Sequence, residues 1–276
     1  MCGRFVASRP VEDIVAAFGI EDVEVSPEAT KPRWNVAPQS EILAVTARRP
    51  AASPEGAAAS PEGAAGSSSD AKRRRLTSYR WGLVPSWAPD PGVAARMFNA
   101  RAESLRSKPA FRNALTRRRC LVPSDAFYEW QRLPATAGRA ARQPWCFRSP
   151  SGGPLALAGL WEAWRPATPD GERGPWLLSC TIVTTAANDV VAPVHDRMPV
   201  LVAEADWERW LDPEPLDSGM LDRILRPAPP GALESYRVGR GVGNVRNEGP
   251  ELWAPEDRST TDSVGGTSGR SGAANS

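Results

Sequence analysis

Apolar positions first fall into a helical rhythm over residues 8–19, where Val11, Ile14, Val15 and Phe18 recur at i, i+3, i+4 and i+7. Pro10 near the start and Gly19 at the end supply the punctuation of a short helix. The rhythm then changes to short apolar runs of β character at 41–47 (EILAVTA), 78–84 (SYRWGLV), 126–131 (AFYEWQ), 155–161 (LALAGLW), 176–184 (WLLSCTIVT) and 198–202 (MPVLV). Shorter helical candidates lie near 109–118, 204–211 and 216–226. Many short strands with few helices predict a β-rich α+β domain rather than a repeating βαβ layout.

One stretch breaks the pattern. ASPEGAA occurs twice in tandem, at 52–58 and 59–65, and Ser67, Ser68 and Ser69 follow. The seven-residue period carries no large apolar residue, so it is no coiled coil and predicts a flexible surface insertion at about 50–75. Lys72, Arg73, Arg74 and Arg75 close it, either as a solvated linker end or as an auxiliary phosphate contact. The Ser-, Gly- and Thr-rich tail, 255–276, is expected to be disordered. What remains is one domain over 2–254, interrupted once.

Composition narrows the function classes. The 276 residues are 41% hydrophobic and 24% charged, enough for a sizeable core. A net charge of +2 marks no general polyanion binder, so any nucleic-acid surface must come from local clustering of arginines. Eleven tryptophans are a heavy load, most expected in the core and a few left to stack on bases. Cys2, Cys120, Cys146 and Cys180 are far apart and form no zinc or iron–sulfur spacing, so neither a metal nor another cofactor is expected. No apolar run approaches the roughly 20 residues of a membrane span, and nothing before Cys2 reads as a signal peptide. A cytoplasmic protein with reduced thiols is expected, and the lack of an apolar heptad repeat points to a monomer.

Six residues carry candidate chemistry. Removal of Met1 would leave Cys2 with a free amine and a thiol, whose reference pKa values of roughly 8 and 8.5 leave both partly nucleophilic at neutral pH. An amine condenses with an aldehyde to an imine, which the neighbouring thiol can close to a five-membered thiazolidine. An internal cysteine, its nitrogen locked in an amide, cannot do this; the plainer reading is a buried cysteine near a terminus. His195, the only histidine, lies in PVHDRMP and suits proton transfer, or else a structural hydrogen bond, with Asp196 and Arg197 beside it to orient the loop or balance charge. Glu129 sits among aromatics in AFYEW, either exposed or held in a pocket that would raise its pKa. In MFNARAES, Asn99 can hold a sugar hydroxyl and Arg101 a phosphate, and Arg4 sets a second guanidinium near Cys2. Turn capping and surface ion pairs are the alternatives for these three.

MCGRF, WNVAP (34–38), WGLVPSW (81–87), FNARAES (98–104), CLVPSDAFYEW (120–130), HDRMPV (195–200) and GVGNVRNEGPEL (241–252) occur in that order. Together they resemble the SOS response-associated peptidase family. The resemblance implies a compact α+β fold with a barrel-like β core and a positive groove for single-stranded DNA. It implies shielding of abasic sites by a thiazolidine cross-link through the N-terminal cysteine, and autoproteolytic removal of the first methionine. It implies Cys2 as nucleophile, Asn99 as the group positioning the opened sugar, Glu129 as proton shuttle to the Cys2 amine, and His195 as the group handling the sugar-ring proton. Arg4 and Arg101 match phosphate contacts. Asn35, Pro38 and Trp87 match groove residues that wedge or stack beside the lesion. The 50–75 insertion departs from the family pattern and puts that edge of the groove in doubt.

Three rivals remain. Some N-terminal-nucleophile amidohydrolases also begin Met-Cys-Gly, but their scheme gives the FNARAE and HDRMP blocks no job. A non-covalent single-strand binder would use tryptophans and arginines alone, and its binding would be salt-reversible. A protease acting on foreign proteins through Cys2 and His195 lacks a candidate specificity pocket.

Overall fold

The computed structural model describes residues 2–48, 73–134, 141–166 and 174–256. The tandem repeats and most of the tail fall outside these residues. Strands β1 (Phe5–Ala7), β2 (Asp22–Glu24), β3 (Arg33–Val36), β4 (Glu41–Arg48), β5 (Arg73–Trp81) and β6 (Asn99–Arg101) occupy the first half. The rest are β7 (Arg119–Ser124), β8 (Ala126–Arg132), β9 (Arg142–Arg148), β10 (Leu155–Trp164), β11 (Leu177–Ala186), β12 (Arg197–Pro199) and β13 (Glu234–Arg237). The helices are α1 (Val11–Phe18), α2 (Pro109–Arg117), α3 (Trp207–Leu211) and α4 (Ser218–Ile224).

Two sheets result. The larger runs β12-β11-β10-β7-β4-β5-β2, and β6 pairs with β11 off this path. A parallel pairing of β11 with β5, Ser179 opposite Arg80 and Cys180 opposite Trp81, joins that path back on itself. Strands β4, β5, β11, β10 and β7 thereby close a five-stranded barrel, which removes the exposed edges an open sheet would carry. The smaller sheet runs β13-β9-β8-β1-β3.

Alternation along the barrel strands explains the core. Leu43, Val45, Leu76, Leu121, Ala158 and Val183 pack with the helices, which contribute Phe18, Phe111, Trp210 and Leu221. Their neighbours Ile42, Ala44, Trp81, Val122 and Ile182 pack instead with Phe5, Phe127 and Phe147 of the smaller sheet, and Cys2 lies in that same cluster. Both faces of these strands are buried, so they read as continuous apolar runs.

Most expected elements are present. The 8–19 helix spans Val11–Phe18, ended by Gly19 in the left-handed region at φ 58°. The basic run is a correction: Arg73, Arg74 and Arg75 open β5 and are not a solvated linker end. Arg75 pairs with Asp22 and Glu24, and Arg74 donates to the Phe18 carbonyl. Pro255 and Glu256, assigned to the tail from sequence, still bridge to Val238 and bond to the Arg237 carbonyl. Arg119 in β7 is 2% exposed and donates to the carbonyls of Leu115, Thr116, Trp210, Asp212 and Glu214, tying α2 to the end of α3. Burial lowers its pKa to about 10. Among the described residues no helix is long and apolar enough to cross a membrane.

Candidate active site between the two sheets

Cys2 is held from both sides. On one side β1 pairs antiparallel with β8, Phe5 opposite Phe127 and Val6 opposite Ala126, and the Tyr128 N–H donates to the Arg4 carbonyl. Extending that register sets Gly3 across from Glu129, so the N-terminal segment runs alongside the carboxylate. On the other side, Asn99 Nδ2 donates to the Cys2 carbonyl at 2.7 Å. Asn99 opens β6, whose parallel pairing with β11 (Asn99 opposite Ile182) fixes it to the barrel. Asn99 Oδ1 is buried with no hydrogen-bond partner among the described residues.

The pocket alternative holds for Glu129, which is 3% exposed. Burial is the main cause that raises its pKa to about 7, and the charge of Asp196 adds to it. His195 Nε2 lies 4.0 Å from Glu129 Oε2. The imidazole is partly buried, which lowers its pKa, with Arg132 adding to the drop and Asp196 opposing it. His195 Nδ1 accepts the Arg197 amide N–H at 3.0 Å and also lies 2.9 Å from Asp196 Oδ1. The first contact needs a lone pair and the second a proton. Burial holds the ring toward its neutral form, and its Nε2 faces Glu129.

The thiol departs from expectation. Cys2 is fully buried, and desolvation, reinforced by the Glu129 charge, pushes its pKa well above the ordinary value; the Arg4 backbone amide only partly opposes this. At rest the sulfur is therefore a protonated thiol and not a partly ionised one.

The remaining expected residues divide into surface and interior. Trp87 is 60% exposed, on the loop after β5. That loop begins at Gly82, φ 137°, where a Cβ would meet the Ala94 carbonyl oxygen at 2.6 Å, so only glycine turns the chain here. Arg101 is exposed at the end of β6, and Pro38 is partly buried in the turn between β3 and β4. Asn35, by contrast, is fully buried: it accepts from Arg4 Nη1 at 2.7 Å and donates to the carbonyls of Asn244 and Asn247. The Arg4 guanidinium also donates to the Val242 carbonyl and lies 5.7 Å from the Trp130 ring. Both side chains are engaged inside the protein.

Sequence reasoning offered Arg197 as orienting the His195 loop but missed its partner Glu103, and with it Gln131 and Asn188, which also position that segment. Arg197 makes a two-pronged ion pair with Glu103 at 2.7 and 2.9 Å and donates to the Thr184 carbonyl, so the FNARAES and HDRMPV blocks grip each other. Gln131, two residues beyond Glu129 on β8, donates to the Pro193 carbonyl. Buried Asn188 caps the turn that leads to His195, accepting from the amides of Val190 and Val191 and donating to the Ala228 carbonyl. The two motif blocks contained Glu103 and Arg197, but opposite charges 94 residues apart carry no pairing signal. Among the described residues no group of three or more His, Cys, Asp or Glu side chains forms a metal site.

The family model described as SOS response associated peptidase (SRAP) matches residues 1–245. The abasic site processing protein YoqW of Bacillus subtilis is 36% identical over 254 residues, covering 91% of this chain and 98% of that protein. The abasic site processing protein HMCES of Gallus gallus is 28% identical over 92% of this chain and 78% of its own length. A solved structure of a Bacteroides thetaiotaomicron protein superposes with a TM-score of 0.72 at 20% identity, covering 92% of this chain and all of that one. A Bordetella bronchiseptica protein gives 0.62 at 25% identity over 86% of this chain and all of its own. These structures support the fold.

Proposed function

The chain belongs to the SOS response-associated peptidase family, and from that premise we propose that it captures abasic sites in single-stranded DNA as a thiazolidine on Cys2. The observation that carries this reading is the convergence of Cys2, Asn99, Glu129 and His195 where the two sheets meet. The relatives' names, abasic site processing proteins, agree with it.

In this reading the same site first hydrolyses the Met1–Cys2 amide with one water, freeing the amine. His195 relays the proton released by the C1′ hydroxyl to the ring oxygen of the abasic sugar as it opens to the aldehyde, and Asn99 Oδ1 accepts from a hydroxyl of the opened sugar. The Cys2 amine adds to the aldehyde carbon. Glu129, with its pKa near neutrality, protonates the leaving hydroxyl, so that water departs and the imine forms. The carboxylate left behind takes the thiol proton as Sγ adds to the carbon of the protonated imine, which leaves the ring nitrogen a neutral amine and Glu129 protonated as it began. One C–N and one C–S bond form, one water leaves, and nothing is oxidised or reduced. Glu129 answers the difficulty of a thiol that burial keeps protonated.

Trp87 and Arg101 are the surface groups suited to stack on a base and to hold a phosphate. Arg4 and Asn35 act from behind by shaping the groove wall, a change from the direct contacts the resemblance implied for them, and Pro38 wedges beside the lesion as the resemblance implies.

The test is incubation with an oligonucleotide carrying one abasic site, read on a denaturing gel. The wild-type chain gives a shifted adduct. Cys2→Ala gives none, and Cys2→Ser, which keeps the amine alone, gives one only after borohydride reduction. Release of ammonia from glutamine without an adduct would instead identify an amidohydrolase.

A further inference from the structure

The GVGNVRNEGPEL block contributes no side chain to the chemistry above, yet more of the protein is committed to its loop than a passive connection requires. Val242 is buried, and its carbonyl receives Arg4. Asn35, itself fully buried, grips the carbonyls of Asn244 and Asn247. Asn247 turns back to the Gly241 carbonyl, and Asn244 Oδ1 accepts the Arg246 amide. Glu248 accepts the Trp34 amide and pairs with Arg33 at its other end. Every anchor is Arg4, just before β1, a residue of β3 or the loop itself, so the loop is fixed to the smaller sheet beside the N-terminal segment that carries Cys2.

What this scaffold presents is Val245 and Arg246. Val245 is 50% exposed, one of three large hydrophobic residues at least half exposed among those described, and Trp87 is another. Arg246 is exposed at the same tip. A loop this tightly bonded cannot turn its valine inward, so its exposure is built in. An apolar side chain beside a cation on a fixed turn suits a sugar face and its phosphate.

Placement adds a second argument. Arg101 stands on β6, two residues from Asn99, on the barrel side of Cys2. The 241–248 loop stands on the smaller-sheet side, reached through Arg4. A strand whose lesion lies at Cys2 would meet one cation on each flank. Arg4, whose guanidinium is engaged by Asn35 and Val242, does not serve as the second cation.

Resting on the abasic-site reading and extending it, we propose that the 241–248 loop is a phosphate clamp for single-stranded DNA, with Arg246 as its cation and Val245 as its apolar contact.

The experiment uses the full chain and a fluorescent undamaged oligonucleotide, with affinity measured across a KCl series. Capture of an abasic oligonucleotide is scored in parallel. For Arg246→Ala the slope of log K against log[KCl] should be shallower by about 0.7, the value for one lost single-strand phosphate contact, with affinity several-fold weaker at low salt. Arg246→Lys should keep the wild-type slope, as should Arg226→Ala, a change at an exposed arginine beyond α4. A wild-type slope and affinity in Arg246→Ala, with capture intact, would overturn the clamp alone. A shallower slope in a chain that never captures abasic DNA would uphold the clamp and overturn the covalent reading. No binding of the undamaged strand by the wild-type chain would overturn the clamp.

Discussion

Glu129 shows how one position sets both chemistry and stability. Its folded pKa, about 7, stands above the ordinary 4.5 because burial disfavours its charge. The folded state therefore holds a proton that the unfolded chain has already released. The stability this gives is full below about pH 4.5 and falls as pH rises through the window up to about 7. Glu129→Gln removes the buried charge, so the variant is expected to be about 1–3 kcal/mol more stable than wild type at pH 8 and equal to it near pH 4.5. Urea unfolding at the two pH values checks this. The same change should slow adduct formation by about a hundredfold and erase the inflection near pH 7 in its rate profile. A variant that gained stability and kept its rate would remove Glu129 from the proton path. The carboxylate's burial was not legible from AFYEW, since aromatic neighbours on both faces leave alternation without a polar side to reveal.

At the scale of elements, the site depends on contacts between motif blocks far apart in the chain. The Glu103–Arg197 pair locks the strand end carrying Asn99 to the segment carrying His195. Glu103→Ala should slow capture by about tenfold, and in a His195→Ala background it should cost almost nothing more, because its effect passes through the imidazole. Rates from single-turnover capture by the four proteins of that cycle measure this. Arg119 does a different job: Arg119→Met strands five carbonyls and should lower stability by about 3 kcal/mol, seen as a lower urea midpoint. These elements were unevenly legible. Helix α1 and strands β4, β8 and β10 followed from periodicity and apolar runs. Strands β7 and β9 escaped because Pro123 and Pro144 lie inside them, and proline argues against a strand that other pairings here sustain. Strands β1, β2, β6 and β13 are three or four residues long, too short for any period to emerge. Arg4 was legible from its place beside Cys2 and Asn35 from the resemblance, but their inward orientation depends on a loop more than 200 residues away.

For the whole molecule, a net charge of +2 gives little long-range pull on a polyanion. In the proposed function, retention on DNA comes from a bond, while local cations orient the strand. The barrel and the smaller sheet meet around Cys2, so the proposed nucleophile sits where a residue from each can act on it. Met1, the 49–72 stretch and residues beyond 256 lie outside the described residues, and the chemistry above asks nothing of the latter two. The central claim is that one residue presents an unblocked nitrogen and sulfur to one sugar carbon. Intact mass tests it most directly, taken on the purified protein before and after mixing with an oligonucleotide bearing a single abasic site. The expected result is a chain lacking Met1 that gains the mass of the oligonucleotide less one water. A chain that retains Met1, or one that gains no mass while the oligonucleotide stays intact, would contradict the account.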